Sequence, residues 1–205
     1  ASAMLDPSRT GFAEYAGNQN LRGTIARLLP EPWWTPVWAV CAALVLAGGW
    51  LVCRRLERVR AAGGPARCDH GVILALELGV VMVTGLLISP VSWSHHWVWA
   101  LEVLLALGAA ARAWRSSALA AVTAAGAVVI GVGIHWSFPF QSHAEFAWPL
   151  WQKLVGSGYT WWALLAGAVL ARAARRRRIA AAADAVENSE SSQARDAVLR
   201  EVRAR

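Results

Sequence analysis

The sequence predicts an all-α integral membrane protein with about five transmembrane helices. Apolar residues make up 57% of the 205 residues, thirteen residues are tryptophan, and the mean hydropathy is +0.38. A soluble domain has about 45–50% apolar residues, and tryptophan is enriched where helices meet the bilayer surface. The net charge of +7 comes largely from arginines grouped beside apolar runs, which indicates membrane topology rather than nucleic-acid binding.

Five apolar runs define a predicted membrane domain, residues 37–173. Each run is at the short end of the roughly 17–25 residues that cross a bilayer. An interfacial segment, residues 1–36, precedes this domain, and a basic tail, residues 174–205, follows it. The predicted spans are residues 37–53, 71–88, 97–111, 118–134 and 159–173.

Basic residues are abundant in every second loop of this arrangement. Because arginine and lysine accumulate on the cytoplasmic side, we expect a multi-pass plasma-membrane protein with an extracytoplasmic N-terminus and a cytoplasmic C-terminus. The arginine-rich loops are residues 54–70, 112–117 and 172–178.

Three polar segments are therefore expected on the extracytoplasmic face. They are the N-terminal segment (residues 1–36), the insert between the second and third spans (residues 89–96) and the aromatic loop (residues 135–158). A site for an amphiphilic substrate needs such convergence of polar groups at one membrane face.

The insert contains two adjacent histidines. Pro90 should end the second span because proline lacks a backbone donor, and Ser92 or Ser94 is then the expected N-cap of the third helix. The free N–H groups and the dipole of that helix start would favour an anion such as a lipid phosphate. His95 and His96 would lie beside this anion, although a purely interfacial role for the pair is the alternative.

Two carboxylates lie within the apolar runs. Glu102 shares a helical stripe with His95 and Trp99, at spacings of four and seven residues, and could orient His95. Glu77 lies in the second span. Intramembrane carboxylates are functional candidates, and buried helix–helix hydrogen bonds are the alternative for both.

A zinc site built from histidines is a further possibility. Because the spacing of the histidines matches no zinc motif, we predict no metal or cofactor and leave a need for a divalent metal open. The four histidines that such a site would use are His95, His96, His135 and His143.

Two runs of residues resemble one enzyme family. NQNLRG, residues 18–23, precedes the first span, and SPVSWSHHWVW, residues 89–99, follows the second. In this order they resemble the C-terminal half of the family-87 glycosyltransferases, the polyprenyl-phosphate-mannose-dependent α-1,2-mannosyltransferases of actinobacteria.

The resemblance implies a membrane enzyme of the GT-C type. It would transfer mannose, with inversion, from a polyprenyl-phosphate-mannose donor to a cell-envelope glycolipid acceptor such as a phosphatidylinositol mannoside or lipomannan. Inversion needs a general base, and no carboxylate of this chain matches the family's base. We therefore expect the base in a preceding part of a longer protein and expect this chain alone to be inactive.

The resemblance also implies a set of substrate contacts, without any assigned catalytic residue. The two histidines would contact the donor phosphate or the acceptor, and Arg22 would clamp a phosphate. The predicted substrate-binding residues are Asn18, Gln19, Arg22, Ser92, Trp93, His95, His96 and Glu102.

Two other functions are compatible with the sequence. A proton- or ion-coupled transporter or flippase would use Glu77, Glu102 and the two histidines of the insert as a polar path. A non-catalytic assembly subunit is the other alternative. The transporter predicts a continuous polar route across the bilayer, whereas the transferase predicts a pocket closed toward the cytoplasm.

Overall fold

The computed structural model describes residues 11–62 and 67–203, so residues 1–10 of the predicted N-terminal segment, part of loop 54–70 and the last two residues of the tail lie outside it. The described residues are predominantly helical, with one isolated antiparallel bridge between Asn18 and Trp93, which confirms the all-α class. The helices are α1 (Leu21–Leu28), α2 (Trp34–Ala62), α3 (Arg67–Ile88), α4 (Ala100–Ala113), α5 (Ser117–Val132), α6 (Leu150–Val155) and α7 (Gly158–Arg203).

Three helical stretches are long and apolar enough to cross a membrane, which supports the predicted membrane class. They are Glu31–Ala61, His70–Ile88 and Ser117–Ser137. Helix α4 has only 14 residues, or about 21 Å, but the 3-10 helix Ser94–Trp99 directly precedes it. Helices occupy all five predicted spans, and the division into interfacial segment, membrane domain and tail stays a prediction.

The five long helices form a closed ring in which each packs on its neighbours. Helix α2 packs on α3, α3 on α4, α4 on α5, α5 on α7 and α7 back on α2. The core between them contains Leu56, Ile73, Leu107, Leu119 and Trp162. The short helix α1 contacts α2, α3 and α6, so the N-terminal segment lies at the end of the ring where the aromatic loop is also found.

Several helix ends differ from the sequence prediction; α2, for example, ends at Ala62 rather than at residue 53. Helix α2 begins at Trp34 rather than at residue 37, because Pro36 falls in the first helical turn, where its missing N–H loses no hydrogen bond. Helix α7 does not end at residue 173 but continues without interruption to Arg203, into the predicted tail. Its alanine-, arginine- and glutamate-rich sequence consists largely of strong helix formers.

The third predicted span differs in the type of helix at its start. An α-helix was expected from residue 97 with Ser92 or Ser94 as its N-cap, and this prediction is wrong. Residues 94–99 form a 3-10 helix, and α4 begins only at Ala100. The Ser92 hydroxyl instead donates to the carbonyl of Leu86, at 2.8 Å, and so satisfies the C-terminal end of α3.

Candidate functional site

A buried polar cluster joins the N-terminal segment to the insert, the aromatic loop and the start of α7. Gln19 N–H donates to the carbonyl of Ser92, at 2.9 Å, and Ala16 N–H donates to Glu145 Oε1, at 2.8 Å. The structure thus brings the three predicted polar segments into contact. The buried polar residues are Glu14, Asn18, Gln19, Asn20, Thr24, Arg27, Ser92, His135, Glu145, Ser157 and Thr160.

Asn18 and Gln19 tie these segments together through backbone groups. Asn18 Oδ1 accepts from Ser92 N–H, at 3.0 Å, and its Nδ2 donates to the carbonyl of Ala13, at 2.9 Å. Gln19 Nε2 donates to the carbonyls of Ala16 and Gly156, both at 2.7 Å. Both side chains are fully buried, so they position the segment, and substrate binding by them stays a prediction.

Asn20 is the N-cap of α1. Its Oδ1 accepts from Gly23 N–H and its Nδ2 donates to the carbonyl of Ser89, both at 2.7 Å. A Cβ atom at Gly23 would lie 2.3 Å from the carbonyl oxygen of Asn18. The run NQNLRG is therefore a local structure in which asparagine caps the helix and only glycine fits the close approach. Most residues of α1 are buried, so it is not a surface helix.

Arg27 lies at the centre of the cluster, and sequence analysis did not select it. Its guanidinium donates to the carbonyls of Glu14, Tyr15 and Asn18 at 3.1–3.3 Å. It also donates twice to Ser157 Oγ, at 3.0 and 3.2 Å. Burial lowers the pKa of Arg27 to about 10, and the nearby carboxylates oppose this shift. Arg27 therefore stays charged at neutral pH.

Two buried carboxylates accompany this arginine. Glu14 Oε1 lies 2.5 Å from His143 Nδ1, and Glu145 accepts the Ala16 N–H described above. Burial raises the pKa of the Glu145 carboxyl, although hydrogen bonds from backbone N–H groups oppose the shift. Neither glutamate belongs to a sequence motif, and their positions depend on contacts between residues 129 apart in the chain.

Three consecutive backbone donors of the insert are hydrogen-bonded within the protein. Ser92 N–H donates to Asn18 Oδ1, Trp93 N–H to His96 Nδ1, and Ser94 N–H to the carbonyl of Gly17. The α-helix start on which the predicted anion site depended is not found here, because residues 94–99 form a 3-10 helix. Binding of an anion beside the histidines stays a prediction.

His95 and His96 are both exposed and meet edge to face, with ring centroids 4.3 Å apart. His96 Nδ1 accepts the Trp93 N–H at 3.2 Å, which leaves the ring proton of the neutral imidazole on Nε2. Partial burial and the neighbouring His95 lower the pKa of His96. His96 is thus a neutral Nε2–H donor at pH 7, suited to a phosphate or hydroxyl oxygen.

Trp93 belongs to an aromatic group shared by the three segments. Its indole packs on Tyr15, with centroids 5.3 Å apart, and covers Gly11, where a Cβ would lie 2.7 Å from the ring. Tyr15 also contacts Trp136 and Phe140 edge to face. Exposed aromatic faces can stack on sugar rings, and Trp136 is 42% exposed.

Arg22 and Glu102 point to neighbouring helices rather than to the insert. The Arg22 guanidinium lies 5.9 Å from the ring centre of Trp38 on α2. Glu102 Oε2 lies against Gly79 of α3 and has no hydrogen-bond partner within the described part of the chain. The predicted stripe with His95 is wrong, because a 3-10 helix has about 3.0 residues per turn and spacings of four and seven are no longer aligned.

Metal ligation was left open by the sequence. Among residues 11–62 and 67–203, no group of three or more histidine, cysteine, aspartate or glutamate side chains is placed to hold a metal ion. His135 is buried in the polar cluster, whereas His143 bonds Glu14. The structure thus does not bring the four histidines together as a zinc site.

Several characterised enzymes are similar to this chain. The polyprenol-phosphate-mannose-dependent alpha-(1-2)-phosphatidylinositol mannoside mannosyltransferase of Mycolicibacterium smegmatis is 37% identical over 162 residues, which cover 78% of this chain and 35% of that protein. Its namesake from Mycobacterium tuberculosis is 36% identical over 160 residues, covering 76% and 34%. A phosphatidylinositol pentamannoside mannosyltransferase of M. smegmatis is 35% identical over 101 residues, covering 49% and 22%.

No family model matches the chain, and no solved structure matches it. The chain spans about one third of the length of the first two of these relatives. The resemblance stated from the two sequence runs is confirmed, because the chain is similar to about one third of the length of each of these two polyprenol-phosphate-mannose-dependent mannosyltransferases. That the matching third is C-terminal stays a prediction.

Proposed function

We propose that this chain is part of an α-1,2-mannosyltransferase. The enzyme would take mannose from polyprenol-phosphate-mannose and transfer it to a phosphatidylinositol mannoside or a related lipoglycan at the extracytoplasmic membrane face. The observation that carries the proposal is the contact between the N-terminal segment, the insert and the aromatic loop, which places His96 and the aromatic group on one polar face. The donor and the acceptor class are inferred from the relatives, which are named as polyprenol-phosphate-mannose-dependent phosphatidylinositol mannoside mannosyltransferases.

The proposed reaction is an inverting displacement at the anomeric carbon of mannose. The acceptor hydroxyl oxygen forms the new bond, the bond to the phosphate oxygen breaks, and polyprenyl phosphate leaves with the bonding electrons. A base takes the hydroxyl proton. His96 Nε2–H would donate to the departing phosphate, where charge develops. The aromatic group around Trp93 would support a sugar ring, and we assign no general base within this chain.

Transport is less well supported than transfer. A cavity between α2, α3, α4 and α7 is lined almost entirely by apolar side chains, with Arg55 and Thr84 as the polar exceptions. Glu77 pairs with Arg60, with Oε2 and Nη1 3.3 Å apart, rather than with a histidine of the insert. These described residues do not form the continuous polar route that the transporter alternative predicts.

Mannosyl transfer by the complete open reading frame that encodes this chain tests the proposal. Membranes that express it are given radiolabelled polyprenol-phosphate-mannose and phosphatidylinositol mannoside, and labelled product lipid is measured. We expect His96→Ala to lower transfer about 10²-fold, the loss typical of one transition-state hydrogen-bond donor. Val98→Ala, at an exposed position of the same turn, should retain activity.

The possible outcomes test the enzyme class and the role of His96 independently. A wild type that is present in the membrane at normal level but transfers no mannose to any phosphatidylinositol mannoside would contradict the proposed function. Full transfer by His96→Ala would preserve the enzyme class and remove His96 from the site.

A further inference from the structure

A basic pocket lies on the side of the helical ring remote from the polar cluster. Arg55 and Arg58 of α2 and Arg175 and Arg178 of α7 line it, with the buried Ala174 between them, and its volume is about 170 Å³. Trp34, which stacks on Phe146 of the aromatic loop, precedes Arg55 on α2 by 21 residues, or about 32 Å of helix. The basic pocket and the proposed mannosyltransferase site are therefore separate.

The carboxylates near this pocket neutralise other arginines. Glu57 pairs with Arg54, with Nη1 and Oε2 3.0 Å apart, and Glu77 pairs with Arg60. Arg55 donates from Nη1 to the carbonyl of Ala171, at 3.3 Å. Among the described side chains, none that lines the basic pocket is acidic. The four arginine charges are thus available to an anion.

An apolar cavity adjoins the basic pocket at Arg55. Arg55 lines both spaces, and the apolar cavity, about 360 Å³, lies between α2, α3, α4 and α7. Along α2 it extends from Leu44 to Arg55, which is about 16 Å of helix. That length is about half of the ~30 Å hydrocarbon core, so the cavity has the depth of one leaflet.

We propose that this composite space binds one anionic phospholipid. The phosphate lies among the four arginines, whose guanidinium groups suit phosphate oxygens, and an acyl chain occupies the apolar cavity. Basic pockets between transmembrane helices on the cytoplasmic side bind anionic headgroups in this way. A free phosphate would use only the basic pocket, whereas the adjoining leaflet-deep cavity selects an amphiphile.

Lipid retention by the full chain, purified in detergent, tests the headgroup half of the proposal. Native mass spectrometry compares retained phosphatidylglycerol with phosphatidylcholine of the same acyl chains. We expect at least tenfold preference for phosphatidylglycerol, because each arginine near the headgroup contributes attraction. The triple variant Arg58→Gln, Arg175→Gln, Arg178→Gln keeps the Arg55–Ala171 hydrogen bond and should lose that preference. The matched control Arg112→Gln, Arg172→Gln, Arg176→Gln removes the same charge from other exposed positions and should retain it.

A second pair of variants tests the acyl-chain half. A Cβ at Gly167, which lines the apolar cavity, meets no atom within 4 Å, and the same is true of Gly131 on the exposed side of α5. Gly167→Leu should fill the cavity and lower phosphatidylglycerol retention several-fold, whereas Gly131→Leu should not. Unfolding midpoints of all variants show whether each chain is folded.

Three results would overturn the lipid assignment. They are equal retention of both lipids by the wild type, equal loss in both arginine triples, and displacement of the lipid by millimolar glycerol phosphate, which would indicate a headgroup site alone. None of these measurements uses the mannose donor or acceptor, so the lipid site can fail while the proposed transferase stands.

Discussion

Arg27 holds the N-terminal segment against the start of α7 through hydrogen bonds to three backbone carbonyls and to Ser157. The carbonyls belong to the same turn that presents Tyr15 to Trp93 and Asn18 to the insert. Because Arg27 has no exposed donor to offer, with 1% of its surface accessible, its role in the proposed enzyme is to position the segment.

Replacing Arg27 should destabilise the protein strongly. Arg27→Ala leaves the carbonyls of Glu14, Tyr15 and Asn18 without this donor and removes a compensating charge from two buried glutamates, at a cost of about 3 kcal/mol or more. The unfolding midpoint in detergent measures the loss. Arg22→Ala, at a half-buried site over Trp38, should cost markedly less. Equal losses in the two variants would contradict this role for Arg27.

Glu145 should give the fold a specific pH dependence. Since burial raises its folded-state pKa above the unfolded value of about 4.3, its contribution to stability is fully present below the unfolded pKa. That contribution is lost as pH rises through the folded pKa. Glu145→Gln keeps an oxygen for Ala16 N–H and carries no charge.

Unfolding midpoints between pH 4 and 8 test this contribution. The wild type should lose stability relative to Glu145→Gln as pH rises from about 4.3, and Glu31→Gln, at an exposed position, should run parallel to the wild type. Parallel curves for the wild type and Glu145→Gln would show that the raised pKa has no influence on folding.

The site was predictable from sequence only where its residues form a continuous run. The runs containing Asn18 and His96 were found because each is local and polar between apolar stretches. Arg27 was missed because it sits in α1 among apolar residues, and its partner Ser157 is 130 residues away. The predicted Glu102–His95 pairing failed for a local reason, since hydrogen bonds from Trp93 and Ser94 favour a 3-10 turn that periodicity cannot reveal.

At the scale of the helices, α5 and α7 are joined by a tight contact between a glycine and a tryptophan. A Cβ at Gly126 would lie 2.3 Å from the Trp162 indole, and Trp162 Nε1 donates to the carbonyl of Val122, at 2.9 Å. Glycine is therefore required on α5 because a bulky, hydrogen-bonded side chain from α7 occupies the position of its side chain. Small residues allow this kind of contact between membrane helices.

Gly126→Ala should therefore destabilise the bundle even though alanine is the better helix former. Overpacking of this kind costs about 1–3 kcal/mol, and the unfolding midpoint should fall accordingly. Gly131→Ala, on the same helix with open space around its Cβ, should leave the midpoint unchanged or raise it. A stabilised Gly126→Ala would mean that Trp162 moves away without loss and that the contact does not fix the helix pair.

At the scale of the whole molecule, the order of helices around the ring follows their order in the chain, apart from the short α6. Apolar runs predicted where helices lie because burial in lipid requires length and hydrophobicity. They did not predict which helices close the ring, since packing of α2 on α7 depends on contacts between residues more than 100 apart in the chain, such as the hydrogen bond from Arg55 to the carbonyl of Ala171. The orientation rests on charge alternation alone.

That orientation can be tested by cysteine labelling in intact cells. With the three native cysteines replaced by serine, a membrane-impermeant thiol reagent should label Gln141→Cys in the aromatic loop and should not label Arg176→Cys on α7. Both positions are exposed, so both should be labelled once the membrane is permeabilised. If only Arg176→Cys were labelled in intact cells, the orientation would be the opposite of the one predicted here. The polar cluster would then lie at the cytoplasmic face, which would contradict the proposed extracytoplasmic transfer. The helix packing described above does not depend on this result.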